Sequence, residues 1–222
     1  MTARRNDTSP MITFDHIAIA APTLAQGAAY IRNLTGLTFP KGGTHPDMGT
    51  HNLVTALGSD TFAEIISINP DAAAPNRPRW FELDNPVAQA KFPCTQAWLL
   101  RTDDIDGCIR KAAALGIDLG TATPFKRDAL RWRFTVTADG SIPLDGAAPL
   151  LLQWDETGPQ HPASRMVDLG LRMDHLTIDT PHADRLTALL ETLGLQNPPT
   201  IRQTKTTKIN AVFSSPTDRG KA

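Results

Sequence analysis

The sequence of 222 residues has little of what several classes of protein require. It has only two cysteines, Cys94 and Cys108, so no disulfide framework is expected and a reducing, cytoplasmic setting is favoured. Its 22 basic and 23 acidic residues give a net charge of −1, which leaves no basic stripe for nucleic acid. No apolar run approaches the ~20 residues that cross a bilayer, and the polar first ten residues predict no secretory signal. We therefore expect a cytoplasmic protein without nucleic-acid or membrane partners.

What the sequence does contain is a repeat. Residues 14–22 read FDHIAIAAP and residues 173–181 read MDHLTIDTP, and each stretch precedes a helical pattern that ends in Gly-Leu. His16 and His175 are therefore equivalent, 159 residues apart. A weaker copy begins near the midpoint, where Ala97 holds the equivalent position. Three copies of one strand–helix start are indicated.

Each start is followed by a change from helical to period-two patterning, which indicates antiparallel strands. Strands are predicted at about 51–57 and 61–68, and then near 122–126, 130–138 and 148–156. The repeated unit is therefore βαβββ, and the third copy is too short to complete it. We predict an α+β fold in which tandem βαβββ modules form a cupped mixed sheet with helices on the outer face, followed by a shortened third βα unit.

The predicted domain organisation follows from these units. A disordered tail covers 1–11, a domain covers 12–163 with modules at about 12–70 and 94–157, and a partial module covers 171–222. The proline-rich stretch 70–93 is predicted to be the linker between the first two modules. Strands at 199–214 lack a predicted partner, which leaves a homodimer open.

His16 and Glu64 are the strongest candidates for chemistry. Strand alternation places Phe14, His16 and Ala18 on the concave face. Glu64 stands in an apolar strand, where a carboxylate without a partner costs several kcal/mol. If both side chains point into one cup, they form half of an N/O metal site. Alternatively, Glu64 is solvated and His16 is a hydrogen-bonded core histidine.

Further candidate ligands stand close to these two. His51, at the start of the next strand, completes a 2-His-1-carboxylate set with His16 and Glu64; alternatively, His51 and Asn52 satisfy turn carbonyls. Gln153 is the nearest counterpart of Glu64 in the second module and is either a weak ligand or a core amide.

Substrate-binding candidates come from the last strands of the second module. Arg131, Trp132 and Arg133 alternate on one strand, and Trp154 follows on the next. An arginine that faces the cup suits a carboxylate or enolate; alternatively, both arginines are solvated around a buried tryptophan.

The repeat, with histidine on its first strand and glutamate on its last, resembles the vicinal oxygen chelate superfamily. The likeness covers about residues 12–163 and is most specific to a bacterial group of glyoxalase-like domain proteins. It is carried by short motifs shared with that group, namely FDHI (14–17), HPDMGTHN (45–52), AEII (63–66), RWF (79–81), RWR (131–133) and QW (153–154). In that superfamily paired modules hold a divalent metal between their first and last strands, and Ala97 departs from this pattern.

Two functions follow from the resemblance. The first is a metal-dependent enzyme of the lyase, isomerase or dioxygenase type, acting on a small oxygenated metabolite. Its divalent ion (Zn, Ni, Mn or Fe) is held by His16 and Glu64 with His51 or Gln153, and Glu64 and His51 are the catalytic residues. Arg131, Arg133, Trp132, Trp154 and Asn52 bind the substrate. The second is a metal-free protein that binds or sequesters a small molecule between tryptophan walls, as bleomycin-resistance proteins do.

Overall fold

The computed structural model describes residues 11–155 and 161–216. The predicted tail at 1–11 lies, except for its last residue, outside the described residues. The chain forms three strand–helix modules whose elements follow one another in the order of the repeat. The first comprises β1 (Ile12–Ala20), α1 (Leu24–Thr35), β2 (Lys41–His45), β3 (Thr50–Ala56) and β4 (Phe62–Ile68). After the short helix α2 (Pro86–Gln89), the second comprises β5 (Cys94–Thr102), α3 (Ile105–Ala114), β6 (Thr121–Arg127), β7 (Leu130–Val136) and β8 (Leu150–Trp154). The third comprises β9 (Arg172–Thr180), α4 (Ala183–Leu193), β10 (Thr200–Gln203) and β11 (Lys208–Ser214).

The first two modules share one eight-stranded sheet with the order β2-β3-β4-β1-β5-β8-β7-β6. Within each module the first and last strands are parallel neighbours, β1 with β4 and β5 with β8. The two modules join through the antiparallel pair β1 and β5. This arrangement confirms the predicted α+β fold of tandem βαβββ modules.

The helices cover the convex face of this sheet and bury its larger core. Ile17 and Ile19 of β1, Ile31 of α1, and Ile105 of α3 belong to one buried apolar cluster. The same cluster continues into Leu186 and its neighbours on α4, so the third module packs on the helix side of the main sheet. Alternation along the strands thus leaves the opposite, concave face free for a site.

The connection between the modules is part of the concave core. Trp80, Phe81 and Leu83 are almost fully buried and pack with Leu99 and Phe134 on the concave face. The stretch 70–93 connects the two modules, as its prolines indicated. Its apolar side chains also pack with residues of both modules in the concave core, which the sequence did not indicate.

The third module forms its own three-stranded sheet, with β9 between β10 and β11. β10 is parallel to β9 and β11 is antiparallel to it. The prediction that the strands at 199–214 lack a partner was therefore wrong, because β9 pairs with both. No helix within the described parts of the chain is long and apolar enough to cross a membrane.

Candidate functional site

The concave face opens into two connected spaces. An inner cavity of about 50 Å³ is lined by residues of both modules, and an outer cleft of about 660 Å³ is lined mainly by β6, β7 and β8. Trp132, Trp154 and Phe125 line the cleft, and the two tryptophans also line the cavity. The polar side chains of the inner cavity are those of His16, His45, Asn52, Glu64 and Arg127.

Parallel pairing of β1 with β4 brings His16 and Glu64 together. Ala18 pairs with Glu64, and His16 lies two residues before Ala18 on the same face. His16 Nε2 is 3.5 Å from Glu64 Oε1, and both side chains are buried. The His16 ring stacks on Phe62, with ring centroids 4.2 Å apart. The structure thus places this imidazole and this carboxylate in one cavity.

A β-bulge at Asp15 adds a second carboxylate, on the far side of the His16 ring. Phe14 pairs with Leu100 and His16 with Leu99, so Asp15 is the extra residue. A bulge disrupts strict alternation, and Phe14 packs with the convex core instead. The prediction that Phe14 faces the cup was therefore wrong.

Asp15 is fully buried, and its carboxylate contacts several nitrogen atoms of neighbouring side chains. Its Oδ1 is 2.5 Å from His16 Nδ1. Its Oδ2 accepts a hydrogen bond from Trp154 Nε1 at 2.9 Å and lies 2.8 Å from His161 Nε2. Arg101 Nη1 is 3.8 Å away. Sequence reasoning missed Asp15 because alternation assigns adjacent residues to opposite faces.

The three central groups determine one another's ionisation. Burial favours a neutral His16, but hydrogen bonds and charges from Asp15 and Glu64 outweigh it and raise the pKa of His16 to about 9. Burial disfavours ionised Asp15 and Glu64, but in both the hydrogen bond and charge of His16 outweigh it and keep the pKa below its usual value. At neutral pH the metal-free site is therefore an imidazolium between two carboxylates.

Asn52 holds Glu64 in position from the neighbouring strand. Asn52 Nδ2 donates to Glu64 Oε2 at 2.8 Å, and Asn52 Oδ1 accepts from the Gly43 N–H at 2.8 Å. A Cβ on Gly42 would lie 2.2 Å from Asn52 Oδ1, so a glycine is needed there. Both polar atoms of the Asn52 amide, which was predicted to bind substrate, thus form hydrogen bonds within the protein. The role that this geometry gives Asn52 is to orient the Glu64 carboxylate.

His45 and Arg127 form a second polar pair in the cavity, which the sequence did not indicate. His45 Nε2 is 3.1 Å from Arg127 Nη1, and His45 Nδ1 is 3.0 Å from Thr50 Oγ1. Because an arginine only donates, Nε2 accepts and Nδ1 carries the hydrogen. Burial, with a smaller contribution from Arg127, lowers the pKa of His45 to about 4. His45 is thus a neutral imidazole at neutral pH.

The structure does not bring His51 to this group. Asn52 and Val54 of β3 line the cavity, so His51 lies on the other face of the strand, with Leu53, which packs against the convex core. The set of His16, His51 and Glu64 is therefore not assembled. The histidine of this loop that reaches the cavity is His45, six residues earlier.

Gln153 is also absent from the inner cavity. Its Oε1 accepts from the Ile105 N–H and its Nε2 donates to the Asp103 carbonyl, at the start of α3. By register, Leu99 pairs with Leu150 as Ala18 pairs with Glu64. The counterpart of Glu64 is thus Leu150. The prediction of Gln153 was wrong because the sequence does not show which residues of β5 and β8 pair.

The predicted substrate-binding arginines lie outside the inner cavity. Arg133 makes two hydrogen bonds of 2.7 Å with Asp106 of α3, and Arg131 is exposed; both border the outer cleft. Trp132 and Trp154 line both spaces as walls. The arginine that enters the cavity is Arg127, from the adjoining strand.

The donor set of the cavity fits a divalent ion with two protein ligands. Atoms about 2.1 Å from one ion at roughly right angles lie about 3 Å apart, and the separation of His16 Nε2 and Glu64 Oε1 is close to that. Asp15 contacts His16 Nδ1, the position at which a carboxylate commonly orients a metal-bound histidine. The second module adds no ligand, because Ala97 and Leu150 are apolar. Among the residues that the structure describes, no cluster of three or more His, Cys, Asp or Glu side chains suits an ion.

The third module repeats the motif without the carboxylate. Thr177 pairs with Thr200 as Ala18 pairs with Glu64, so Thr200 holds the position of the glutamate. His175 Nε2 is 3.1 Å from Thr200 Oγ1, and His175 is exposed. His175 thus reflects the repeat and has no counterpart of the Glu64 carboxylate.

Comparisons with known proteins agree with this architecture. A crystal structure of a hypothetical protein from Staphylococcus aureus is similar over 92% of this chain and 91% of its own, with a TM-score of 0.65 and 13% identity. A methylmalonyl-CoA epimerase from Mycobacterium tuberculosis is similar over 64% and 85%, with a TM-score of 0.40 and 19% identity. At 13% identity the first likeness concerns the fold alone, and no curated protein sequence matches the chain. The sequence profile described as a glyoxalase-like domain matches residues 14–194. The chain therefore belongs to the glyoxalase-like domain family.

Proposed function

We propose that the chain is a metal-dependent enzyme of the lyase or isomerase type that acts on a small oxygenated metabolite. The observation that carries the proposal is the convergence of His16 Nε2 and the Glu64 carboxylate, 3.5 Å apart, in a cavity with aromatic walls. A buried, perturbed acid–base pair in a concave site is a common mark of catalysis. The fold family alone would not carry this proposal, because one fold supports many activities.

His16 and Glu64 are the residues that would hold the divalent ion, which supplies Lewis acidity to a bound oxygen. Asp15 keeps the His16 ring in a fixed orientation through Nδ1. Asn52 occupies Oε2 of Glu64, so Oε1 is the oxygen that faces His16. In the metal-free protein the same pair places an ionised base beside a protonated acid, which suits movement of a proton between neighbouring substrate atoms.

The residues favour the lyase or isomerase type over the dioxygenase type. Non-haem iron dioxygenases of the 2-His-1-carboxylate kind need a second histidine. His51 lies on the opposite face of its strand, and His45 Nε2 is engaged by Arg127. The described cavity therefore offers one histidine and one carboxylate.

A second function, metal-free binding of a small molecule, is favoured by one specific observation. The second module's ligand positions are taken by the buried apolar residues Ala97 and Leu150. Trp80, Trp132 and Trp154 provide aromatic walls for a planar ligand. In this alternative the His16–Glu64 pair serves as a polar anchor for the ligand.

Metal binding tests the choice between the two functions. Untagged protein dialysed against a chelator is titrated with Zn²⁺, Ni²⁺ and Mn²⁺ by calorimetry, and bound metal is counted by mass spectrometry. We expect one ion per chain, an affinity loss of about 10–100-fold in Asp15→Asn, and a larger loss in His16→Gln and Glu64→Gln. His51→Gln is the matched control, since His51 lies on β3 of the same sheet but does not line the cavity.

The metal titrations distinguish the metal-dependent enzyme from the metal-free binding protein. Equal loss of affinity in His51→Gln and His16→Gln would contradict the assignment of ligands. Absence of stoichiometric binding for all three ions, in protein that retains its fold by circular dichroism, would refute the metal-dependent enzyme and favour the binding protein.

A further inference from the structure

Arg127 differs in its partner from the described arginines that pair with carboxylates. Five arginines of the described residues each contact a carboxylate within 3.0 Å, namely Arg79, Arg101, Arg133, Arg172 and Arg202. Arg127 instead contacts the imidazole of His45 at 3.1 Å and forms no ion pair with any described carboxylate. Its guanidinium lines the inner cavity. The cavity therefore contains a guanidinium that, among the described residues, makes no direct contact with a carboxylate.

His45 fixes the guanidinium without cancelling its charge. Its Nε2 accepts one N–H of Arg127, and its Nδ1 is tied to Thr50 Oγ1 in the adjoining strand. A carboxylate in this place would hold Arg127 as firmly, but it would also neutralise it. A neutral partner leaves the other guanidinium hydrogens available for an oxyanion, which an arginine binds in a two-point geometry.

The backbone makes room for this arrangement. A Cβ on Gly43 would lie 2.8 Å from Arg127 Cδ and 2.9 Å from Arg127 Nη1. The arginine stem therefore rests directly on the glycine backbone of β2. The same glycine donates its N–H to Asn52, which orients Glu64. Arg127 is thus built into the structure that holds the proposed reactive centre.

The shape of the two spaces limits what this charge can bind. The inner cavity of about 50 Å³ has room for a head group of a few atoms, since about 10–15 Å³ of volume in this measure holds one water. The outer cleft of about 660 Å³ has room for a ring. Trp132 and Trp154 pack against each other with ring centroids 5.5 Å apart and line both spaces. A planar apolar body in the cleft would therefore lie against this aromatic pair.

We propose that the ligand of this site is an aromatic carboxylic acid whose carboxylate is bound by Arg127 in the inner cavity and whose ring lies in the outer cleft against Trp132 and Trp154. This inference rests on the proposed function, because it places the substrate beside His16 and Glu64. Arg127 is its specificity-determining residue, and His45 is the positioning residue that holds Arg127.

The test compares two probes of nearly equal shape in metal-free protein. Phenylacetate carries the carboxylate, and phenylacetamide replaces it with a neutral amide. We expect calorimetry to show phenylacetate binding at least about 10-fold more tightly than phenylacetamide, the effect of a charge-assisted hydrogen-bonded pair. Arg127→Gln should remove that preference, and Arg127→Lys should keep part of it. Arg202→Gln, which removes an exposed arginine of β10 that lines neither space, is the matched control and should keep the preference within about threefold.

Each outcome decides the inference. Equal affinity of wild-type protein for the two probes would overturn it without any substitution, so a variant that fails to fold cannot rescue it. A preference that survives in Arg127→Gln would overturn the role of Arg127, and tighter binding of phenyl phosphate than of phenylacetate would overturn the carboxylate. Stoichiometric metal binding with no probe preference refutes this inference alone, whereas probe preference without metal binding refutes the metal-dependent function alone.

Discussion

Substitution of Asp15 by asparagine tests the electrostatics of the site most directly. Asp15 is the leading contributor that raises the pKa of His16 from 6.5 to about 9. That difference corresponds to roughly 3 kcal/mol in favour of the folded protein with protonated His16. Because the pKa is raised on folding, this stability is fully present below pH 6.5 and is lost as the pH rises through about 9. Asp15→Asn removes the charge while keeping the size of the side chain.

The assay is an NMR titration of the His16 imidazole in chelator-treated protein. We expect a pKa near 9 in the wild type and a clear fall toward 6.5 in Asp15→Asn. Urea unfolding at pH 6.5 and 8.5 gives the second readout. The free energy of unfolding should fall over this range in the wild type and fall less in the variant. At pH 6.5 the variant should also lose about 3–5 kcal/mol, because a buried ion pair is broken.

Asp168→Asn is the control for this prediction, since Asp168 is an exposed carboxylate that pairs with Arg172 of the third module. It should leave the pKa of His16 unchanged. The reasoning is refuted if His16 titrates near 6.5 in the wild-type protein, a measurement that needs no variant. It is also refuted if folded Asp15→Asn retains the wild-type value.

Two further predictions concern the elements that surround the pair. Gly42→Ala should weaken divalent-ion binding, because its Cβ would lie 2.2 Å from Asn52 Oδ1 and displace the residue that orients Glu64; calorimetry measures this, and Gly58→Ala, whose Cβ meets nothing closer than 3.7 Å, should bind as the wild type does. His45 has its pKa lowered on folding from 6.5 to about 4, so the stability that it contributes is present above pH 6.5 and lost as the pH falls toward 4. Urea unfolding between pH 6.5 and 5 should show a steeper loss in the wild type than in His45→Gln, and equal slopes would contradict the assignment.

The fold was predictable because the chain repeats itself at the level of patterns. The motif around His16 recurs around His175, and the strand pattern follows each helix, so the βαβββ unit could be predicted without any structure. The connection between modules could not, because its prolines and alanines obscure the few side chains that matter. Trp80 and Phe81 become core only because the concave face offers them an apolar surface. That surface exists only after the sheet has formed.

The candidate site was predictable only where local alternation holds. His16 and Glu64 follow the period of two on regular strands, and the parallel register brings them together. Asp15 escapes that period through a bulge, which no local signal announced. Gln153 was wrongly placed because a strand's face depends on the pairing register as well as on its position in the chain. The position of Arg127 in the cavity could be predicted only by knowing that β6 lies against β2.

The three modules together show what the reactive centre depends on. Each has the same strand–helix start, yet only the first combines the histidine, a carboxylate on the parallel partner strand, and burial of both. The second has Ala97 and Leu150 at these positions. The third keeps a histidine but exposes it beside Thr200. A charge pair is strong only where water is excluded. Trp80 and Phe81 therefore strengthen the His16–Glu64 pair, because these buried side chains form an apolar wall of the cavity in which the pair and Arg127 lie.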